Sequence, residues 1–451
     1  MNLQKPADAR FGFMEADITP AYPTELVGFM RGDNRSKGVL HPLLLQAAVF
    51  ERGKNRCCLL AIDSLGFTTG LSNQLRDLVA GLLRVARENV MLCFSHTHSA
   101  PNAALEPAYF TFVCEQARRC VTAAAKTMKP LFTACGVGAA ELGVNRRTAG
   151  GALDKRIGVF GVYDGGKPLP SLLILRVTAH ANVLSSDNSL ISSDYFGAVR
   201  RRLQREYGCP VMVTQGASGN VRPRYQSTDA VQLEEHPETL LPASPKTMQR
   251  WQRESLMALD RMAEAAAEAL APVISALKPK PAARLALFSK TVVASSEVPD
   301  KECAEAIAAE ARREAGLDGT AWLEETKRLR QRGVTEQTED MEVSFFLLGD
   351  GCLCGVAAEI MCEIALDAAE KADSELFFLG GYTNGCTGYL PTAEEFLKGG
   401  YEVLWSYLPY HQYHGRVMPL RKETAEKLSD FAARVYRNER SFGSAVAAVR
   451  D

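Results

Sequence analysis

The chain has 451 residues, 46% of them hydrophobic, which suffices for a large core and, on length, for two or three domains or one large α/β unit. Its 52 Lys and Arg against 53 Asp and Glu leave a formal net charge of −1, which argues against a basic nucleic-acid-binding field and against an acidic tail. No apolar run reaches the length of about 18 residues needed for a membrane span, and the opening Met1 to Pro6 lacks the apolar core of an export signal.

Residues 11–20 read as a strand ending in a turn at Pro20, and 24–41 as a Gly- and charge-rich loop. A strand is expected at 43–50, a turn at Arg52-Gly53, and a strand at 57–62, whose unbroken apolar run suits burial on both faces. A helix over 71–87 carries Leu75, Leu78, Leu82 and Leu83 near helical spacing, and a strand at 90–94 follows. The same strand–helix–strand grammar returns at 171–178, 193–206 and 210–214, and again at 351–356, 360–372 and 376–379. Between these units, 226–245 reads as a surface loop, 246–271 and 299–332 as charged, Ala-rich amphipathic helices, and Leu277 to Pro281 as a short linker. An aromatic segment follows Tyr401 (Trp405, Tyr407, Tyr410, Tyr413), either lining a pocket or packing, and a helix closes the chain at 421–437. The expected fold class is α/β: mixed sheets surrounded by helices, with sites at the carboxyl ends of strands. The twelve Cys show no framework spacing and read as buried thiols of a reducing compartment, so a cytoplasmic location is expected. Cys352 and Cys354, among apolar neighbours, read as core rather than as a metal pair.

Seven His occur in the chain, and two of them, His96 and His98, stand one residue apart just beyond the 90–94 strand. In extended chain such residues point to the same side. The two imidazoles can share one metal ion, or one can bind metal while the other meets substrate; the plainer alternative is a capped strand end. His180 and Glu359 also follow strands. Catalytic zinc takes three protein ligands and keeps a place for water, whose pKa it lowers towards about 7. His96, His180 and Glu359 are the candidate ligands on that logic.

Several segments, in order, resemble the neutral (non-lysosomal) ceramidase family over nearly the whole chain. They are Asp17-Ile18-Thr19-Pro20, Val39 to Leu43, Ala61-Ile62-Asp63, Ser95-His96-Thr97-His98-Ser99-Ala100-Pro101, Gly143 to Arg147, Ala179-His180, Gly355 to Glu359, and Tyr382 to Tyr401. The resemblance implies a single ceramidase-like catalytic domain over 1–451, with 246–271 and 299–332 as insertions. It implies a zinc ion held by His96, His180, Glu359 and Tyr389, and zinc-activated water attacking an amide carbonyl. His98, Arg146 and Tyr401 match positions near that carbonyl, where donors and a cation stabilise an oxyanion and His98 can carry the proton to the leaving amine. Asp63 is expected either to orient a ligand imidazole or to cap its strand.

Two departures from the family pattern stand out. Where the family has a serine in Gly-Asp-Val-Ser-Pro-Asn, this chain reads Gly219-Asn220-Val221-Arg222-Pro223-Arg224. Arg222 and Arg224 are therefore expected either to bind an anionic group on the substrate or to make surface ion pairs. Only residues 390–451 follow Tyr389, too few for the C-terminal β-sandwich of the family, so a smaller soluble N-acyl substrate is at least as plausible as ceramide. Two other readings stand: a multinuclear-metal phosphoesterase or amidohydrolase built on the His-x-His pair, and a non-catalytic binding relative. No nucleic-acid partner and no integral membrane segment are expected, and the oligomeric state is open.

Overall fold

The computed structural model describes residues 8–29, 31–227, 231 and 245–448. The first part of the chain builds one long sheet. β1 (Ala9–Asp17), β2 (Leu44–Arg52) and β3 (Asn55–Ile62) form an antiparallel series, and β4 (Val90–Phe94) joins β3 in parallel after the helix Thr69–Leu83. β5 (Lys129–Ala139) pairs with the far side of β1, while the short β6 (Gly143–Asn145) lies outside this sheet. β7 (Arg156–Asp164) and β8 (Leu172–Val177) continue antiparallel, and β9 (Val211–Gln215) pairs with β8 in parallel after the helix Asp194–Tyr207. The path is β4-β3-β2-β1-β5-β7-β8-β9. β10 (Val221–Pro223) pairs with β6, and β11 (Lys280–Pro281), inside the expected linker, pairs with β5.

A second sheet contains β12 (Leu285–Glu297), β13 (Glu336–Leu348) and β14 (Gly351–Gly355). Beyond it come β15 (Glu359–Ile360), the helix Cys362–Ala372, and β16 (Phe377–Gly380), which pairs in parallel with β14. β17 (Tyr389–Leu390) pairs in parallel with β15.

The three expected strand–helix–strand units are thus present, each as a parallel pair, and the residues of β4, β8, β9 and β14 are buried throughout, as unbroken apolar runs require. Alternation along the strands separates two faces. One face of each sheet meets the other sheet: Phe50 lies 5.2 Å from Phe346 and Phe160 lies 5.9 Å from Phe378, ring to ring. The outer faces are covered by helices, Thr69–Leu83 and Pro107–Lys126 on one half of the long sheet, Asp194–Tyr207 and Pro245–Ala276 on the other, and Cys362–Ala372 with Thr424–Ala448 on the second sheet. The result is a mixed α/β architecture of sheet on sheet between helical layers.

The amphipathic stretch at 246–271 is the long helix Pro245–Ala276, whose apolar face joins the core through Leu259, Met262, Ala266 and Leu270. The stretch at 299–332 splits at Gly316 into Lys301–Ala315 and Thr320–Gln331, which close a small core around the buried Trp322. Cys352 and Cys354 are fully buried in β14. Of the loop expected at 226–245, all but Gln226, Ser227, Val231 and Pro245 lie outside the described residues. Among the described residues, no helix is long and apolar enough to cross a membrane.

Candidate metal centre and cavity

The carboxyl ends of the three parallel units meet. Beyond β4, His96 adopts a left-handed backbone (φ +62°) and its N–H bonds Ser64 O at 2.8 Å, in the loop that leaves β3. Such a conformation in a non-glycine residue costs of order 1–3 kcal/mol and persists where surroundings hold it. Beyond β8, the His180 N–H bonds Val221 O at 2.9 Å. Gln215, the last residue of β9, spans the gap between the two ends of the long sheet: its Nε2 donates to Ser95 O at 3.2 Å and to Ala179 O at 2.8 Å. Those carbonyls belong to the residues immediately before His96 and His180. Glu359 enters from β15, and Gly219 packs so closely beneath it that a Cβ there would sit 2.5 Å from Glu359 O.

The imidazoles of His96 and His180 each have one nitrogen committed. His96 Nδ1 lies 2.7 Å from Leu65 O, and His180 Nδ1 lies 2.7 Å from Ser218 O. A carbonyl only accepts, so Nδ1 carries the hydrogen, and in the neutral ring Nε2 is a bare lone pair. Both Nε2 atoms face one carboxylate oxygen, Glu359 Oε2, at 3.2 Å and 3.5 Å. Burial alone would push the Glu359 carboxyl up; a proton on the facing imidazoles would outweigh it and hold the carboxyl well below the usual carboxylate range. Burial, with Arg146 nearby, pushes His180 down to about 4. Three acceptors converging in a buried site, with no proton of their own to share, fit a divalent cation. His98 stands alongside: one ligand atom each from His96, His98 and His180 lie within 4.8 Å of one another. Among the described residues, neither His98 ring nitrogen has a hydrogen-bond partner, and burial holds its pKa well below the ordinary imidazole value.

Tyr389 is the register partner of Glu359 across β15 and β17. Its phenol accepts from Arg146 Nη2 at 3.1 Å, and the same Nη2 donates to Gly219 O at 2.9 Å. Glu402 fixes Arg146 from behind at 2.9 Å and Arg147 at 2.7 Å. Above this floor opens a cavity of about 460 Å³, within the range of small-molecule sites. His98, Arg146, Tyr389, Tyr401 and Arg222 all line it, with Phe29, Trp405 and Tyr410 as apolar walls. The aromatic segment after Tyr401 thus does both things expected of it, since Tyr407 packs fully buried beneath the wall.

The structure therefore brings together His96, His98, Arg146, His180, Glu359, Tyr389 and Tyr401, with Arg222 on the same cavity. Arg224 is elsewhere: it pairs with Glu141, and its side chain is 44% exposed. Asp63 does not orient an imidazole. Its carboxylate accepts from the Leu44 N–H at 2.9 Å and forms a buried ion pair with Arg200, while backbone carbonyls meet Nδ1 of His96 and of His180, so of its two expected roles the structural one at the strand end is what the structure shows.

Three contributors lie outside the expected set. Tyr382, also in a left-handed conformation, packs its ring 4.3 Å from that of His96 and donates to Glu359 Oε2 at 3.4 Å while accepting from Ser218 Oγ at 3.1 Å. Cys386 Sγ lies 3.8 Å from Glu359 Oε1. Glu402 anchors both arginines. Its place next to Tyr401 was the one available signal; Tyr382 and Cys386 carried none beyond lying between Glu359 and Tyr389.

No protein-family profile matches the chain, and no curated protein matches its sequence. By structure, the neutral ceramidase of Pseudomonas aeruginosa superposes with a TM-score of 0.65 over 97% of this chain and 75% of that one, at 18% identity. A ceramidase complexed with C2 superposes with a TM-score of 0.64 over 97% of this chain and 76% of that one, at 17% identity. The chain has the neutral ceramidase fold. The match takes in 97% of this chain, and about a quarter of each ceramidase chain lies outside it.

Proposed function

We propose that the protein is a zinc-dependent hydrolase that cleaves the amide bond of a small N-acyl substrate. The observation that carries this reading is the meeting of His96 Nε2 and His180 Nε2 on Glu359 Oε2, at 3.2 and 3.5 Å, in the floor of a cavity of about 460 Å³. The ceramidase fold supports the amide as the bond attacked.

In this reading His96, His180, Glu359 and Tyr389 hold the ion. When bound, zinc supplies a water acidic enough to deprotonate near neutral pH and a Lewis acid for the carbonyl. The rest belongs to side chains. Arg146, locked by Glu402 and Gly219, presents a fixed cation to the oxygen that gains charge, and the Tyr401 hydroxyl adds a donor on the same cavity. His98, whose nitrogens have no hydrogen-bond partner among the described residues, accepts a proton at one nitrogen and delivers it to the departing amine. Phe29, Trp405 and Tyr410 exclude water and receive the apolar acyl part. We place the protein in the cytoplasm, a reading supported by its twelve free and mostly buried thiols.

The test is metal analysis of the purified protein, followed by hydrolysis of a panel of N-acyl compounds with and without chelator. One equivalent of zinc and chelator-sensitive release of free amine are expected; turnover indifferent to chelator ends the proposal. A second reading makes His98 the third histidine ligand, favoured by the 4.8 Å triangle of His96, His98 and His180. Metal retained in His98→Ala decides against it.

A further inference from the structure

The charges around the cavity are almost all spoken for. Arg146 pairs with Glu402, Arg147 with Glu395 and Glu402, Lys398 with Glu395, and Glu314 with Arg313. Arg222 differs. Among the described residues it enters no ion pair, and its guanidinium makes one long hydrogen bond, to Pro223 O at 3.5 Å. It is nevertheless half-buried in the cavity wall.

The backbone that carries it is tied to the site. The three residues Asn220, Val221 and Arg222 are stitched into the centre by their neighbours: Asn220 O accepts from Arg146 N–H at 2.9 Å, and Val221 O accepts from His180 N–H at 2.9 Å. Arg222 itself is the register partner of Val144 between β10 and β6. Val221 is fully buried in the core, so the alternation of the strand turns Arg222 the other way. A guanidinium has five donors in a planar fork suited to a carboxylate or phosphate. Leaving such a fork half-desolvated without a counter-charge is unfavourable unless something else supplies one.

We propose that Arg222 determines substrate specificity by receiving an anionic group, carboxylate or phosphate, carried by the substrate in this cavity. The preferred substrates are then acidic N-acyl conjugates rather than neutral ones. This rests on the reading of the site as an N-acyl hydrolase, but the binding of the anion can be measured without turnover.

The experiment measures calorimetric binding, with chelator present to stop hydrolysis, of two matched pairs of probes. One pair is N-hexanoylglycine and its neutral amide, N-hexanoylglycinamide. The other is N-hexanoyl-phosphoethanolamine and N-hexanoylethanolamine. The full chain is compared with Arg222→Ala and Arg222→Lys, each checked for an unchanged melting profile. The expected result is a preference for one charged member over its neutral partner, by about tenfold or more, that collapses in Arg222→Ala and is partly kept in Arg222→Lys. Whichever pair shows the preference distinguishes carboxylate from phosphate. No preference in the parent protein, or a preference that survives Arg222→Ala, overturns the proposal. Failure of the parent protein to hydrolyse any N-acyl compound is a separate result and bears on the assigned reaction alone.

Discussion

Glu359 and Tyr389 face each other as partners in the two-residue parallel ladder of β15 and β17. That one pairing sets a carboxylate and a phenol on the same centre although a helix and a strand intervene in the chain. Tyr389→Phe keeps the ring but removes the oxygen that meets Arg146. Zinc affinity is expected to fall by about tenfold or more, with the folded state intact. Unchanged affinity on direct zinc titration would take the phenol out of the ligand set.

His96 and His98 differ in surroundings, and the proposed roles differ with them. His96 points at Glu359 with its Nδ1 held by Leu65 O, whereas His98 has no hydrogen-bond partner among the described residues and lines the cavity. His96→Ala is expected to lose both zinc and turnover. His98→Ala is expected to keep zinc and lose about 10²–10⁴-fold in rate. Equal metal loss in the two variants, read by elemental analysis, would reverse the assignment.

Gly28 has φ +109°, and a Cβ placed on it would lie 2.6 Å from His98 Cγ. Gly28→Ala therefore either shifts the imidazole or strains the loop. A displacement on the ångström scale costs about 10²-fold in rate, so kcat is expected to fall by roughly that factor while zinc content stays at one equivalent. A normal kcat in this variant would mean that the position of His98 is not critical.

The Asp63–Arg200 pair is buried and touches neither ligand imidazole. Asp63→Ala strands the guanidinium and is expected to cost about 3–5 kcal/mol in denaturant unfolding. Zinc affinity of the folded fraction should not change. If zinc affinity drops with stability preserved, Asp63 orients the centre after all.

His41 is held down to about 4 by burial and by the neighbouring Arg201, and its Nδ1 meets Ser192 Oγ at 3.0 Å. On acidification the unfolded chain takes up a proton near the ordinary histidine pKa of about 6.5, while the folded chain resists until about 4. Stability from this group is therefore present above about 6.5 and lost as pH falls through that window. His41→Asn, which can still accept at the Nδ1 position, is expected to show a shallower loss of melting temperature between pH 7 and pH 4.5. Parallel curves for the two proteins would refute the assignment.

How legible the sequence is follows from the kind of signal each part carries. The parallel units were legible because strands buried on both faces must be apolar throughout: 57–62, 171–178 and 351–356 fall almost on β3, β8 and β14. Antiparallel strands spoke less clearly. β12 mixes exposed and buried positions over Leu285–Glu297, and β5 carries Gly136 and Gly138, which must stay small because the helix Pro245–Ala276 packs on them. His96, His180 and Glu359 are readable as candidates from their places beyond strand ends, whereas Tyr389 enters only through the resemblance, since spacing says nothing about residues joined across separate units. Tyr382 and the carbonyls of Leu65 and Ser218 were not legible, because a backbone oxygen has no letter in a sequence. For Asp63 the sequence leaves two roles open, and the backbone carbonyls that decide between them are equally invisible in it.

The carboxamide of Gln215 acts as a gauge block. With one NH₂ it touches the peptide groups that precede both histidines, so the spacing of the two imidazoles that face Glu359 is machined by a single side chain. Under the proposed function, variation at this position would retune the grip on metal without altering His96, His180 or Glu359.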